Sequence, residues 1–183
     1  MDIKVVAKNV RVAFPHLVTP HASQKFPGSK PKFSVNVLLH KKEHAATIKE
    51  IDDAVAKIIA DEKWSKNVVK AFPYVEADTV VKEDGSALAG YDSDHVVVVA
   101  KTDNRPVVKS RDNVTLAGEE IDGLIYGGCR CHVSFSVYPS RNYKKLCNDL
   151  RAVKFFADDE PFGNRTPVTD DEFGDEDEGD SVL

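Results

Sequence analysis

Residues 129–138, CRCHVSFSVY, alternate strictly between two kinds of side chain. Cys131, Val133, Phe135 and Val137 fall on one parity, and Arg130, His132, Ser134, Ser136 and Tyr138 on the other. Successive side chains of an extended chain point to opposite faces, so this stretch reads as a half-buried strand. Residues 32–39, KFSVNVLL, follow the same rule, with Phe33, Val35, Val37 and Leu39 inward and Lys32, Ser34 and Asn36 outward. A slip of one residue would turn either apolar set out to water, so the register of both is fixed. A chain with two such segments must build a sheet with one dry and one wet face.

Three further segments extend that sheet. Residues 4–14, KVVAKNVRVAF, are rich in β-branched side chains, HVVVVA (95–100) is continuously apolar, and a last strand around LRAVKFFA ends at Ala157. RPVVK (105–109) continues or flanks the third of these. Pro15 and the stretch TPHASQKFPGSKP (19–31) carry turn chemistry and are expected to form a loop. In residues 43–62 the period changes: Ile48, Ile51, Val55, Ile58 and Ile59 recur at helical spacing, which specifies an amphipathic helix against the sheet. The segment 118–128 holds four glycines, among them Gly127-Gly128, and reads as a bulge or sharp bend at a barrel corner. Residues 64–74 show no clear period. The expected fold is mainly β: a small, partly open five-stranded barrel with one inserted amphipathic helix.

Charge divides the chain in two. Residues 1–157 hold 24 Lys plus Arg against 19 Asp plus Glu, whereas 158–183 hold 11 acidic residues and only Arg165. A barrel domain over 1–160 and a disordered acidic tail over 161–183 are therefore expected, because TPVTDDEFGDEDEGDSVL has too few large apolar groups to offset the entropy of ordering. The tail reads either as a solubilising extension or as a polyanion. In the second case Asp170, Asp171, Glu172, Phe173, Asp175, Glu176, Asp177, Glu178 and Asp180 compete with nucleic acid for the basic body or recruit a protein partner.

Several function classes find no support. There is no apolar run of membrane-spanning length and no signal-peptide pattern at Met1-Asp2-Ile3-Lys4, so a cytosolic protein is expected. Cys129, Cys131 and Cys147 make neither a disulfide framework nor a four-ligand zinc site, and His132 sits on the opposite parity from Cys131. No phosphate loop, nucleophile elbow or helical His-x-x-x-His pair occurs. No catalytic residue, metal or cofactor is expected. A metal-dependent nucleic-acid-processing enzyme built from scattered carboxylates stays open as an alternative, as does an acidic DNA-mimic or interaction protein.

A single nucleic-acid strand is held by cations that track phosphates and by rings on which bases stack. The chain offers both ingredients in three places. Residues 25–33 interleave Lys25, Phe26, Lys30, Lys32 and Phe33, the last of these on core parity. The strand face 130–138 presents Arg130 and Tyr138, and YPSRNYKK (138–145) adds Arg141, Tyr143, Lys144 and Lys145. Arg11 lies on the polar parity of the first strand with Asn9, and Arg105 and Arg111 flank a strand end. Each has a plainer reading: Phe26 can staple its loop, Tyr138 can pack at an edge, and the isolated cations can serve solubility.

The segments RVAFPHLVTP (11–20), KFSVNVLLHKK (32–42), NRPVVKSRD (104–112), YGGCRCHVSFSVYP (126–139) and LRAVKFFADDEPFG (150–163), in this order, resemble a family of tailed-phage single-stranded DNA-binding proteins. Family-like positions are Arg11, Phe14, Arg105, Pro106, Tyr126, Gly127 and Gly128. The resemblance implies an oligonucleotide-binding fold (OB-fold) and sequence-independent binding of single-stranded DNA. It further implies a role in phage replication, recombination or repair within the infected bacterial cytoplasm, with replication or recombination proteins, or a second copy of the chain, as further partners. The chain ends Asp-Ser-Val-Leu rather than in the Pro-Phe that closes the best-known bacterial tails, which puts recruitment of their usual partners in doubt.

Overall fold

A computed structural model describes residues 1–23 and 28–163. Seven strands are present among them: β1 (Ile3–His21), β2 (Lys32–His40), β3 (Tyr74–Glu76), β4 (His95–Thr102), β5 (Val107–Lys109), β6 (Arg130–Ser140) and β7 (Lys145–Ala157). Two α-helices accompany them, α1 (Ala45–Asp61) between β2 and β4, and α2 (Gly118–Leu124) between β5 and β6. β1 pairs with β2 and β6, β2 with β4, and β6 with β7, all antiparallel. A short parallel contact at Lys101 and Asp149 joins β4 to β7 and closes a five-stranded barrel. This connectivity, with the third and fifth barrel strands parallel, is that of the OB-fold.

The alternating strands meet as their pattern requires. Val35, Val37 and Leu39 of β2, Val96, Val98 and Ala100 of β4, and Cys131, Val133, Phe135 and Val137 of β6 fill one core. Ile51, Ala54 and Ile58 of α1 complete it. Fully burying each of the larger side chains contributes about 1.5–3 kcal/mol. Outside the barrel wall a second cluster of Ala13, Leu38, Ala77, Tyr91 and Val97 forms where residues 77–91 cross the outer face.

The structure departs from the sequence reading in three places. β1 runs on to His21 rather than stopping near Phe14, so the first three residues of the expected loop belong to the strand. Pro15 is tolerated because it lies between the Ala13 and His16 pairings, where the register shifts and a ladder N–H is not needed. The glycine-rich segment 118–128 contains α2, which seats Ile121 in the core; seven residues with one buried apolar group are too short to show a period. RPVVK forms the separate strand β5, parallel to β7, outside the barrel. The expected disorder of the acidic tail concerns residues outside those described, apart from 161–163.

Candidate nucleic-acid interface

The outer face of β2 and β4 is covered only in part. Val97 lies under residues 77–91, but Val99 and Lys101, next on the same parity, are exposed. There a groove of about 400 Å³ opens, lined by Lys32, Lys101, Tyr138, Phe72, Val99 and Cys147 among others. In an OB-fold this strand face and the flanking β1–β2 and β6–β7 loops are where oligonucleotides bind. Lys30 and Lys32 stand 3.7 and 3.9 Å from Asp103, and surface pairs of that kind are weak enough to yield to a phosphate. Burial pushes the Tyr138 phenol and the Cys147 thiol up, so both are neutral at pH 7 and leave the two lysines as the groove's charge.

Side chains around the groove fix its walls. Asn148 donates from Nδ2 to the carbonyls of Pro73 (2.8 Å) and Val99 (3.2 Å), which ties the segment bearing Phe72 to β4 and β7. Phe72 is 39% exposed and projects at the rim. The β6–β7 hairpin is clamped on two sides. Arg141 makes a two-pronged contact to Glu62 at the end of α1 (2.9 and 2.7 Å), and the Lys70 and Leu146 amides bond to the carbonyls of Lys144 and Ala71. The hairpin thus holds Tyr143 out in solvent, 65% exposed, with the Lys145 ammonium 5.6 Å from its ring. Lys144, in the left-handed region at φ 53°, places its ammonium over Trp64.

Of the residues singled out in the sequence, Lys32 and Tyr138 line the groove and Lys30 shares Asp103 with Lys32, while Tyr143, Lys144 and Lys145 lie on the β6–β7 turn next to the lining residue Leu146. Arg141 joins them as a positioning residue whose charge faces Glu62. Lys25 and Phe26 lie outside the described residues. Arg105 is exposed in the loop after Asp103, and Arg111 lies over the Phe156 ring at 5.0 Å. Arg11 and Arg130 sit elsewhere. Arg130 opens β6, eight residues from Tyr138, or ~27 Å along the strand.

Both of those guanidiniums hold the strap that follows β7. Arg130 contacts the Asp159 carboxylate at 2.8 Å and Arg11 at 3.6 Å, and Arg11 also donates to the carbonyls of Gly128 and Glu160. The Asp159 carboxyl is held below its usual range by the Glu160 amide, with Arg130 and Arg11 adding to the effect. The Phe162 ring lies 4.2 Å from the Arg11 guanidinium, and its amide donates to Gly127. Two glycines make room: a Cβ on Gly90 would stand 2.5 Å from the Phe162 ring, and one on Gly128 2.4 Å from the Glu160 carbonyl.

Sequence reasoning missed Lys101, Val99, Phe72 and Cys147. Lys101 was readable, because it continues the outward parity of β4, whereas Phe72 lies in a segment without period. Phe14, half exposed on a left-handed backbone at φ 49°, is a further outward ring beside Tyr91. Among the described residues no cluster of His, Cys, Asp and Glu is arranged to hold a metal ion. No helix there is long and apolar enough to cross a membrane.

The sequence profile of the family described as Enterobacter phage Enc34, ssDNA-binding protein, matches residues 3–183. No curated protein matches the chain. Among solved structures, the single-stranded DNA-binding protein of bacteriophage Enc34 in complex with ssDNA is 27% identical with a TM-score of 0.68, over 87% of this chain and 89% of that one. The same phage protein in another structure is 25% identical with a TM-score of 0.68, over 93% of this chain and 89% of that one. A C-terminally truncated form of it is 26% identical with a TM-score of 0.67, over 87% and 88%. With the profile spanning nearly the whole length, the chain belongs to the Enterobacter phage Enc34 ssDNA-binding protein family.

Proposed function

We propose that the protein binds single-stranded DNA without sequence preference, in the groove over β2, β4 and β7, and acts as a binding module rather than an enzyme. The observation that carries this reading is the meeting of Lys32 and Lys101 with the rings of Phe72 and Tyr138 in one open groove on the barrel face, next to the β6–β7 hairpin that bears Tyr143, Lys144 and Lys145. Cations at the rim meet phosphates while rings and the apolar wall at Val99 take unstacked bases, which a duplex keeps inside its stack. The relative whose structure is in complex with ssDNA supports the same reading. The task of such a module is to cover unpaired strands during phage DNA replication, recombination or repair in the host cytoplasm. The acidic tail lowers strand affinity by competition and offers partner proteins a handle.

An anisotropy titration of the full chain against labelled oligo-dT and a duplex of equal length tests this. The strand binds more tightly than the duplex, and log affinity falls by about 0.7 per log unit of salt for each phosphate neutralised. Equal or stronger duplex binding, or no binding at low salt, overturns it.

A further inference from the structure

β1, β6, β7 and β5 lie side by side, and their outer faces form one surface on the side of the barrel opposite β2 and β4. The register places two rows across it. Val6, Ser134, Ala152 and Val107 follow one another in the first, a low floor with both valines exposed. His132, Lys154 and Lys109 follow in the second, at the ordinary strand spacing of ~4.8 Å. Lys8 stands at the β1 end of that row, where its charge adds to burial and to Lys154 in holding the His132 imidazole below its ordinary value. None of the groove's lining residues belongs to this surface. His132 lies six residues from Tyr138, or ~20 Å along β6.

Charge on this surface is one-sided. The strands and the turn after β5 bring Lys4, Lys8, Lys109, Arg111, Arg151 and Lys154 to it. None of the six forms an ion pair among the described residues. Two of them sit at irregularities of the ladder: the register shifts past Lys8 in β1 and past Arg151 in β7, and both are exposed. Against them the four strands hold one acidic residue, Asp149, and Asp112 follows Arg111. Lys109 and Lys154 are direct cross-strand partners, and like charges so placed repel. With no carboxylate between them, a polyanion from outside relieves that repulsion.

A stacked ladder selects a nucleic-acid strand among polyanions. The Arg111 guanidinium lies 5.0 Å over the Phe156 ring, which meets the His132 ring at 4.8 Å. Arg111 is itself exposed, so its outer side is open to an unpaired base, and bases stack on guanidinium planes. An acidic peptide answers the lysines but leaves that plane unused, and a duplex keeps its bases inside its stack. We infer that the β1–β6–β7–β5 face is a second track for single-stranded DNA, which takes up strand beyond the length held in the groove. The inference rests on the reading of the protein as a single-stranded DNA binder, but the two surfaces share no residue. A short strand fills the groove alone, whereas a long one also gains phosphate contacts at Lys8, Lys109 and Lys154.

Oligo-dT of about 8 and about 40 nucleotides separates the two surfaces, since one OB-fold holds roughly 4–16. In the unaltered full chain, lysine acetylation followed by mass spectrometry should show Lys8, Lys109 and Lys154 protected by the long strand. The short strand should protect Lys32 and Lys101 only. A chain carrying Lys8→Gln, Lys109→Gln and Lys154→Gln loses a repulsion and no ion pair, so the fold survives the change. For the long strand its slope of log affinity against log salt should fall by about 2, three contacts of about 0.7 each; for the short strand it should not move. The inference is overturned if the three lysines stay reactive under the long strand, or if duplex protects them equally. An unchanged long-strand slope, or a short strand weakened as much as the long one, overturns it as well. Failure of the short strand to bind the unaltered chain, or to protect Lys32 and Lys101, counts against the groove instead.

Discussion

Replacing Tyr143 with Ala removes the exposed ring of the β6–β7 hairpin, next to the groove, and very little of the fold. The side chain is 65% exposed, and its recorded ring contact is the Lys145 ammonium at 5.6 Å. The β6–β7 hairpin is held instead by Arg141 on Glu62 and by the main-chain bonds of Lys144 and Leu146, none of which the substitution touches. The thermal midpoint should therefore stay where it is. One base stacked on the ring contributes about 1–3 kcal/mol, so Kd for a short oligo-dT should rise roughly 5- to 150-fold. No charge is lost, so the slope of log affinity against log salt should be unchanged. Anisotropy titrations at several salt concentrations, paired with thermal melts, read all three quantities. An affinity equal to that of the unaltered chain refutes the stacking role of Tyr143, and a parallel fall in melting temperature shows that the ring serves the fold instead.

Three other perturbations follow from the same geometry. Lys101 is exposed and forms no ion pair among the described residues, so Lys101→Gln should reduce the salt slope by about 0.7 with no effect on melting; an unchanged slope removes Lys101 from the phosphate track. Burial holds the imidazoles of His44 and His132 below their ordinary value of 6.5, with Lys154 and Lys8 adding to the effect at His132. Both rings accept backbone N–H bonds at Nδ1 in the neutral form, so their contribution is complete above that value and is lost as pH falls through it toward the lowered one. Melting temperature should fall on mild acidification, and a His132→Gln chain that shows the full decline would discount this ring. Gly128→Ala forces a left-handed conformation that costs about 1–2 kcal/mol, with a further penalty from the Glu160 carbonyl, and should free the 158–162 strap; a denaturant midpoint equal to that of the unaltered chain contradicts this.

Period-two segments carried most of the fold into view. In β2 and β6 every inward residue named from the sequence is buried, because a strand with one dry face leaves a single register open. α1 was legible for the matching reason, its isoleucines recurring at helical spacing on the side that meets the core. β3, β5 and α2 were not, since each holds too few residues for any period to show. The exposure of the β6–β7 hairpin tip was legible because polar residues and lysines crowd a turn that buries nothing. Arg11 and Arg130 lie away from the groove for an instructive reason: outward parity says that a guanidinium leaves the core, not which neighbour it meets. Here it meets Asp159 and Phe162, which lie over 140 residues from Arg11 in the chain and were read as the edge of the acidic tail. Phe72 reaches the groove only through long-range ties to β7, which local sequence does not announce.

Cys147 offers the most direct test of the groove. It is partly exposed on the groove wall, whereas Cys129 and Cys131 are 0% exposed in the core, so a maleimide should label it selectively in the native chain. Mass spectrometry would follow the labelling rate with saturating oligo-dT, with duplex and with no DNA. If single strands lie over β2, β4 and β7, oligo-dT slows labelling of Cys147 in proportion to the fraction bound, and duplex does so far less. A rate unchanged by oligo-dT under conditions where anisotropy shows full binding would place the strand elsewhere on the protein.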